Sequence, residues 1–336
     1  MSSNETIEEL KNKWKAKITK AIKSLDYENE KVQNLLKEKE DIEIDIMTSN
    51  KTSNNVYPSI LDKNFNNKIA QKIEFNENKY PVIDYTSIES IANEHCSSRN
   101  FELAPHQIFI RNFLSHLTPY NGLLLFHGLG TGKTCSAISV CEDLRHYMKK
   151  LDIKNRIVIL ANPNVQVNFK KQLFNPDNLE KVNDIWTMTG CLGQRLLKEI
   201  PFVDSLSKED VIKQINVLIK NNYNILGYRT FAGNVATLRK SMTKKAFKRK
   251  IELEYSNTLI VIDEVHNIKE SIKEKNIVAS IQDVIHYSKR LKLMFLSATP
   301  MYNSHTEIVF ILNLLNINDK RPMIKINDIL TVMAIF

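Results

Sequence analysis

Glycine is scarce in this chain, and the few glycines are not evenly spread. Only 8 of the 336 residues are glycine, where an average composition of about 7% would give roughly 24. Half of them, Gly122, Gly128, Gly130 and Gly132, fall within eleven residues. Because glycine lets a backbone approach a ligand closely, this cluster indicates a loop that is held against something.

Cysteine is sparse as well. The four cysteines (Cys96, Cys135, Cys141 and Cys191) show neither a CxxC pair nor the Cys/His spacing of a zinc site. Four are too few for a disulfide framework in a chain of this length, so we expect free thiols in a reducing compartment.

Long apolar runs are missing. No stretch approaches the 18 apolar residues of a membrane span, and the charged N-terminus has no apolar core of a secretory signal. We therefore expect a soluble intracellular protein without membrane association. The formal charge of +9 favours an anionic partner, nucleic acid first, although ordinary solubility charge is the alternative.

The N-terminal part of the chain predicts a helical extension over residues 1–47. Its apolar residues recur at three- and four-residue steps, which places them on one helical face: Ile7, Leu10, Trp14, Ile18, Ala21 and Leu25. Either a helical pair packs on the body of the protein, or the extension is an arm that binds a protein partner. Residues 48–98 follow as a linker and partly ordered segment.

From residue 99 onward the pattern predicts an α/β fold. Apolar runs that end in turns alternate with helical patterns, which is typical of parallel βαβ units and predicts a parallel central sheet flanked by helices. The predicted strands are Leu123–Phe126, Ile157–Ala161, Asp184–Met188, Ile225–Tyr228, Thr258–Ile262 and Lys292–Leu296.

The segment 239–250 is strongly basic, with seven Lys or Arg among twelve residues. A solvated helix face is one interpretation. The alternative is a contact with nucleic acid, for which the candidate residues are Lys244, Lys245, Lys248 and Arg249.

The glycine cluster follows the first predicted strand and precedes a helix, which is the context of a phosphate loop. Backbone N–H groups of such a loop surround phosphate oxygens, Lys133 would neutralise the β- and γ-phosphates, and the Thr134 hydroxyl would ligate Mg²⁺. The strict pattern has glycine at the position of His127, and relaxed versions tolerate this. The candidate nucleotide-binding residues are Gly128, Leu129, Gly130, Thr131, Gly132, Lys133 and Thr134.

An acidic motif follows the apolar strand that ends at Ile262. Asp263 is the candidate metal-side ligand opposite Thr134, and Glu264 could polarise an attacking water as general base. His266 could hydrogen-bond to the next motif. That motif, Ser297-Ala298-Thr299, follows the last predicted strand, and its hydroxyls could couple the nucleotide state to the rest of the molecule.

The order of these motifs resembles the first RecA-like domain of superfamily 2 helicases and translocases, from about Phe101 to Leu315. The resemblance implies ATP and Mg²⁺ as cofactors and a RecA-like P-loop NTPase domain over 99–320. It assigns Lys133, Asp263, Glu264 and His266 to catalysis and gives residues 321–336 as a tail, either truncated or the start of a second domain.

Further roles rest on the resemblance alone. Gln107, in Leu103-Ala104-Pro105-His106-Gln107, would recognise the adenine edge. Pro163 and Asn164 would belong to a loop that contacts the nucleic-acid backbone, DNA or RNA. Arg229 lies where such proteins have another loop that faces nucleic acid.

The segments LLLFHGLGTGKT and SATPMYN look most similar to proteins of large DNA viruses, including the early transcription factor small subunit and nucleoside triphosphatases of the poxvirus type. This implies a viral protein linked to transcription, in the host cytoplasm or the virion. The alternative function is a non-catalytic subunit that binds nucleotide and nucleic acid in a transcription or packaging assembly. A kinase or GTPase fits poorly, because the Ser297-Ala298-Thr299 motif and Gln107 have no role there and no guanine-reading NKxD follows.

One departure from the family is large. Only 36 residues follow Pro300, and they contain no QxxGRxxR-like string, which in the family belongs to a second RecA-like domain. We therefore expect that domain to be supplied in cis or in trans, and we expect weak ATP hydrolysis by this chain alone.

Overall fold

The computed structural model describes residues 56–80, 102–128, 130–268, 275–301 and 305–325. The predicted extension over 1–47 lies outside them, as do most of the linker, Leu129 and residues 326–336 of the tail. The described residues belong to two compact units. Residues 56–70 and 117–119 belong to the smaller one, and all the others belong to the larger one.

The described part of the smaller unit contains one short helix, α1 (Phe65–Ala70). In the turn before it, the Asp62 carboxylate accepts a hydrogen bond from Lys68 Nζ at 2.5 Å and one from the Asn64 backbone N–H at 2.9 Å. The Lys68 contact, and then the Asn64 contact, lower the pKa of Asp62. These bonds hold the chain in the turn from which the helix starts.

The larger unit is built on a sheet of five parallel strands in the order β1-β7-β6-β2-β5. The strands of this sheet are β1 (Gly122–Phe126), β2 (Ile157–Leu160), β5 (Tyr223–Leu226), β6 (Leu259–Ile262) and β7 (Lys292–Ser297). The helices are α2 (Ile73–Asn76), α3 (Pro105–Phe113), α4 (Lys133–Lys150), α5 (Pro163–Leu173), α6 (Lys208–Asn222), α7 (Tyr228–Ser241), α8 (Lys244–Tyr255), α9 (Lys275–Tyr287) and α10 (His305–Asn318). The predicted α/β class with a parallel central sheet is confirmed.

Helices cover both faces of the sheet. Since successive side chains of a strand point to opposite faces, each strand contributes side chains to both cores. In β2, Ile157 and Ile159 join the core under α3–α6, whereas Val158 and Leu160 join the core under α7–α10. Each fully buried aliphatic side chain contributes about 1.5–3 kcal/mol. The two cores therefore fix the strand ends on which the functional residues lie.

The predicted strand Asp184–Met188 does not belong to the parallel sheet. Residues Ile185–Met188 form β4, which pairs antiparallel with β3 (Leu179–Val182) in a separate hairpin. The two residues of its turn, Asn183 and Asp184, have φ values of 51° and 64°, and positive φ at both central positions is typical of a tight hairpin turn. The hairpin belongs to a segment between α5 and α6, residues 175–207, which we call the insert.

The strand predicted over Ile225–Tyr228 is displaced along the chain. The observed β5 begins at Tyr223 and ends at Leu226, and Tyr228 is the first residue of α7. Tyr223 is buried and its hydroxyl donates to the Glu142 carboxylate. Because β5 begins with a tyrosine whose buried hydroxyl is hydrogen-bonded, an apolar run in the sequence does not mark where the strand starts.

The cysteines also differ from the expectation. The structure bonds Cys135 in α4 to Cys191 in the insert, and Cys141 is a free, fully buried thiol. Burial raises the pKa of the Cys141 thiol. The two cysteines are 56 residues apart, so no short cysteine motif in the sequence indicates the pairing.

Across the described ranges, no helix has both the length and the apolar character that crossing a membrane requires.

Candidate ATP and nucleic-acid site

Three of the sequence motifs meet at one edge of the sheet. In the parallel register Phe126 of β1 lies opposite Ser297 of β7, and Phe295 of β7 lies opposite Ile262 of β6. The loop after β1, the acidic motif after β6 and the hydroxyl motif after β7 therefore leave the sheet side by side. Ligands of open parallel sheets bind at this carboxyl edge.

The described residues of the loop after β1 fold back on the loop's own carbonyls. Lys133 Nζ donates to the carbonyls of His127 at 2.8 Å and Gly128 at 3.0 Å, so its ammonium lies over the loop. The Thr131 hydroxyl donates to the Gly128 carbonyl at 2.9 Å. Gly130, with φ +80°, adopts a left-handed conformation that other residues rarely take.

Gly132 is needed both for its conformation and for its closeness to Gln107. Its φ is +76°, and a Cβ at this position would lie 2.5 Å from Nε2 of the Gln107 side chain. Nε2 of Gln107 donates to the Gly132 carbonyl at 3.2 Å, and its Oε1 accepts the Ala104 backbone N–H at 3.0 Å. Gln107 thus ties the start of α3 to the phosphate loop, while its predicted contact with adenine stays a prediction.

A histidine and a tyrosine that the sequence reasoning missed support the same loop. His106 Nε2 lies 3.0 Å from the Thr131 carbonyl, and His106 Nδ1 forms a hydrogen bond with the Tyr80 hydroxyl. Tyr80 is 26 residues away from His106, and no motif of the sequence places the two residues together.

His127 occupies the position where the strict motif has glycine. Its backbone N–H donates to the Ser297 carbonyl at 3.3 Å, which continues the pairing of β1 with β7 beyond Phe126. Burial first, and then the neighbouring His106 and Lys133, lower the pKa of its imidazole. His127 is therefore held neutral at the base of the loop.

Asp263 is a buried carboxylate at the end of β6, and its side chain is only 7% exposed. Its backbone N–H donates to the Leu160 carbonyl at 2.9 Å, and its Oδ1 accepts the Glu264 N–H at 3.0 Å. Burial, and then the adjacent Glu264 charge, raise the pKa of Asp263 to about 6, while Lys133 acts in the opposite direction. Lys133 and Asp263 therefore lie close enough for their charges to interact.

Glu264 is held in an unusual backbone conformation. Its φ of 49° is left-handed although it is not glycine, and such strain concentrates at functional sites. Its Oε2 lies 3.3 Å from His266 Nδ1, the same nitrogen that lies 2.8 Å from Ser297 Oγ. Ser297 Oγ also accepts the Thr299 N–H at 3.0 Å, so the acidic and hydroxyl motifs form one hydrogen-bonded chain.

Tyr228 is the functional residue that sequence reasoning placed in the wrong element. It is buried, and its hydroxyl donates to the main-chain carbonyl of Asp263. Burial, and then the charges of Asp263 and Glu264, raise the pKa of Tyr228, so the phenol stays protonated and can donate. The Asp263–Glu264 peptide is thereby fixed from the side of α7.

The residues at this edge fit a divalent cation. Two adjacent carboxylates lie here: Asp263 is buried, and the Glu264 side chain is 28% exposed. Glu264 Oε2 is buried and, among the described residues, has His266 Nδ1 at 3.3 Å but no hydrogen bond. Thr134, in the first turn of α4, is half-buried. A cation bound by Asp263 and Thr134 would offset the cost of holding these carboxylates away from water.

The other half of the same edge carries the residues predicted to contact nucleic acid. β2 and β5 are neighbours in the sheet, and each is followed at once by a helix, α5 and α7. Pro163 and Asn164 are exposed in the first turn of α5, and Arg229 is exposed in the first turn of α7. Both helices therefore direct their N-terminal N–H groups to this edge, which favours an anion.

The basic segment lies on the outer side of α8. Lys244, Lys245, Lys248 and Arg249 are exposed, whereas Phe247 and Ile251 on the opposite side are buried. Arg239, at the end of α7, is bound to Asp283 of α9 at 2.5 Å. The segment thus spans the end of α7 and the start of α8, and Lys250 forms an ion pair with Glu254 at 2.8 Å. Its contact with nucleic acid stays a prediction.

Comparison with known proteins now identifies the family. The model of the SNF2-related domain matches residues 106–320, which contain the phosphate loop and both later motifs. The chain belongs to this family. Its membership confirms the helicase-type resemblance that the motif order indicated.

The relatives are proteins of large DNA viruses. A candidate ATP-dependent RNA helicase of Acanthamoeba polyphaga mimivirus is 32% identical over 286 residues, which cover 78% of this chain and 23% of that protein. Nucleoside triphosphatase I of Melanoplus sanguinipes entomopoxvirus is 26% identical, over 67% of this chain and 28% of that protein. The early transcription factor large subunit homolog of African swine fever virus is 25% identical, over 65% and 24% respectively. The chain thus spans only about a quarter of the length of these relatives.

We expect the buried charge of Asp263 to lower the free energy of unfolding at neutral pH. Its pKa in the folded chain, about 6, lies above that of an unfolded aspartate, about 3.9, so the penalty is absent at low pH and is complete above pH 6. We expect Asp263→Asn to raise the thermal midpoint by several degrees at pH 7.5, because about two pKa units correspond to roughly 3 kcal/mol.

Thermal unfolding of both proteins at pH 7.5 and pH 5 measures this effect. The gain should shrink at pH 5, where wild-type Asp263 binds a proton in the folded chain. An equal gain at both pH values, or a lower midpoint of the variant at pH 7.5, would contradict the proposed origin of the raised pKa. Asp283→Asn, at a half-exposed ion pair with Arg239, is the matched control and should not stabilise.

Proposed function

We propose that this chain is the ATP-binding motor domain of a nucleic-acid-dependent ATPase that translocates on, unwinds or remodels nucleic acid. The observation that supports this most is the division of one sheet edge into two halves. The ends of β1, β7 and β6 carry groups suited to a nucleoside triphosphate, and the ends of β2 and β5 carry helix N-termini suited to a phosphate backbone.

In the ATP half, the chain's own groups have separable tasks. Lys133 exchanges its two carbonyl partners for the β- and γ-phosphates, and the N–H groups of the loop and the first turn of α4 donate to the same oxygens. Asp263 and Thr134 would hold Mg²⁺, which neutralises charge on the phosphate oxygens. Glu264, next to Asp263, orients and deprotonates the attacking water.

The two halves are joined by Tyr228. It starts α7 on the nucleic-acid side, next to the exposed Arg229, and its hydroxyl holds the Asp263 carbonyl on the ATP side. A shift of the first turn of α7 against nucleic acid would move the peptide that sets the position of Glu264. Nucleic-acid binding and hydrolysis would thereby influence each other.

A second RecA-like domain, in cis or in trans, belongs to this proposal. The relatives extend well beyond the region that they share with this chain, and phosphoryl transfer of this type is accelerated by an arginine from outside the nucleotide-binding domain by about 10³–10⁵. The names of the nucleoside triphosphatase and early transcription factor relatives support a role in viral transcription.

ATP turnover in the presence and absence of single-stranded DNA or RNA tests the function. Lys133→Ala should weaken binding of Mg²⁺·ATP at least tenfold, because the loop loses its only predicted phosphate-binding cation. Glu264→Gln should keep binding within about twofold and lower turnover at least a hundredfold, since a general base contributes about 10²–10⁴. Lys150→Ala, at the exposed far end of α4, is the control.

The comparison is made with the second RecA-like domain present, as a fused or added chain. If nucleic acid does not raise wild-type turnover above that of Glu264→Gln, the motor function is wrong and the non-catalytic binding subunit replaces it.

Tyr228 should act as a positioning residue. Tyr228→Phe removes only the hydroxyl, so we expect the KM for ATP to change less than about twofold while kcat falls about tenfold and stimulation by nucleic acid falls further. Tyr255→Phe, at another buried tyrosine of the same core, is the control. Equal losses in kcat for both variants, or a rise in KM alone, would show that the Tyr228 hydroxyl does not position the Asp263–Glu264 peptide for hydrolysis.

The basic face of α8 should contribute to nucleic-acid affinity through charge. Changing Lys244, Lys245 and Lys248 to Glu should weaken binding and flatten the slope of log affinity against log salt by about 2, at roughly 0.7 per lost contact with single strands. The matched control changes three exposed lysines of α6 to Glu, Lys208, Lys213 and Lys220. The same salt dependence of affinity in both triple variants would show that the exposed lysines of α8 are an ordinary solvated face without a specific contact to nucleic acid.

A further inference from the structure

Cys135 and Cys191 bring two distant segments together beside the phosphate loop. Cys135 is the third residue of α4 and directly follows Thr134, while Cys191 lies in the insert. Their Cα atoms are 5.4 Å apart, within the range of about 4.4–6.8 Å that a disulfide can span. The backbone is therefore placed for a bond between the two side chains.

A hydrogen-bond acceptor lies beside the two bonded sulfurs. Oε1 of Gln172, on α5, lies 3.0 Å from Cys191 Sγ and 3.8 Å from Cys135 Sγ. A thiol S–H is a weak donor, and this amide oxygen faces both sulfur atoms as an acceptor. Gln172 Oε1 is therefore placed to accept a hydrogen bond from either cysteine when the pair is reduced.

We propose that Cys135 and Cys191 are a redox-sensitive modification site, at which a low-molecular-weight disulfide such as glutathione disulfide closes a reversible bond between α4 and the insert. The proposal does not depend on the proposed ATPase function. Cys141, on the same helix, is fully buried and takes no part, since an oxidant cannot reach it.

The exposure of the two sulfurs sets the order of the steps. Cys135 is half-buried and Cys191 is only 7% exposed, so the Cys135 thiolate attacks glutathione disulfide first and displaces one glutathione thiolate. The Cys191 thiolate then attacks the Cys135 sulfur of this mixed disulfide and displaces the second. Two protein thiols lose two protons and two electrons, and one glutathione disulfide becomes two glutathione thiols.

Closing the bond should stabilise the chain and restrain the insert. Two bonded sulfurs lie closer together than two unbonded ones, so oxidation draws the insert onto the first turn of α4. It also closes a loop with a sequence separation of 56 residues, which restricts the unfolded chain. We expect the thermal midpoint to rise on the order of 5–10 °C.

The experiment equilibrates the whole chain with glutathione disulfide or with reduced glutathione. Peptide mapping by mass spectrometry without reduction should find Cys135 linked to Cys191 in the oxidised sample only, together with the higher midpoint, and both should reverse when reductant is added. Cys135→Ser and Cys191→Ser should each lose the linked peptide and the shift. Cys141→Ala and Cys96→Ser should keep both.

Two results would overturn the proposal. One is an oxidised wild type in which the linkage is absent or includes Cys96 or Cys141. The other is an unchanged midpoint shift in Cys135→Ser, which would assign the stabilisation to another effect of the oxidant.

Discussion

The parallel direction of all five strands is the constraint on which the rest of the structure depends. Because the strands point the same way, every βα connection leaves the sheet at one edge, and residues as distant in sequence as Phe126 and Ser297 meet there. Lys133, Asp263 and Ser297 each follow or end a different strand, and they become neighbours only through the order β1-β7-β6. The two buried faces keep these strand ends in register, so the energy that fixes the site comes from the cores beneath it.

In the proposed function, the carboxyl edge also separates two kinds of anion recognition. The glycine loop and Lys133 lie at one end of it, and the first turns of α5 and α7 lie at the other. Between them, Asp263 is held on both sides of its Cα: its backbone N–H donates to the Leu160 carbonyl of β2, and its own carbonyl accepts the Tyr228 hydroxyl. The carboxylates proposed for catalysis are thus fixed by elements of the half proposed to bind nucleic acid, which gives the two halves a physical connection.

The sequence was sufficient for those parts of the fold and site that depend on local pattern. The glycine loop between strand and helix lies within one short stretch of sequence. The same holds for Asp263 and the all-apolar strand before it. The hairpin of the insert was mistaken for a sheet strand, because an alternating apolar run does not tell which strand it pairs with. The contacts of Tyr80, Tyr228 and the Cys135–Cys191 pair join residues 26, 35 and 56 positions apart, and only the folded chain brings them together.

In the proposed function, the loop after β1 and the acidic motif after β6 form a single cation and nucleotide site. A double-mutant cycle with Thr134→Ala and Asp263→Asn, read out as the Mg²⁺-dependent part of ATP affinity, tests it most directly. If both side chains hold the same ion, each single variant loses most of the Mg²⁺ effect and the double variant loses little more. Losses that add up independently would show two unconnected sites and would contradict the account.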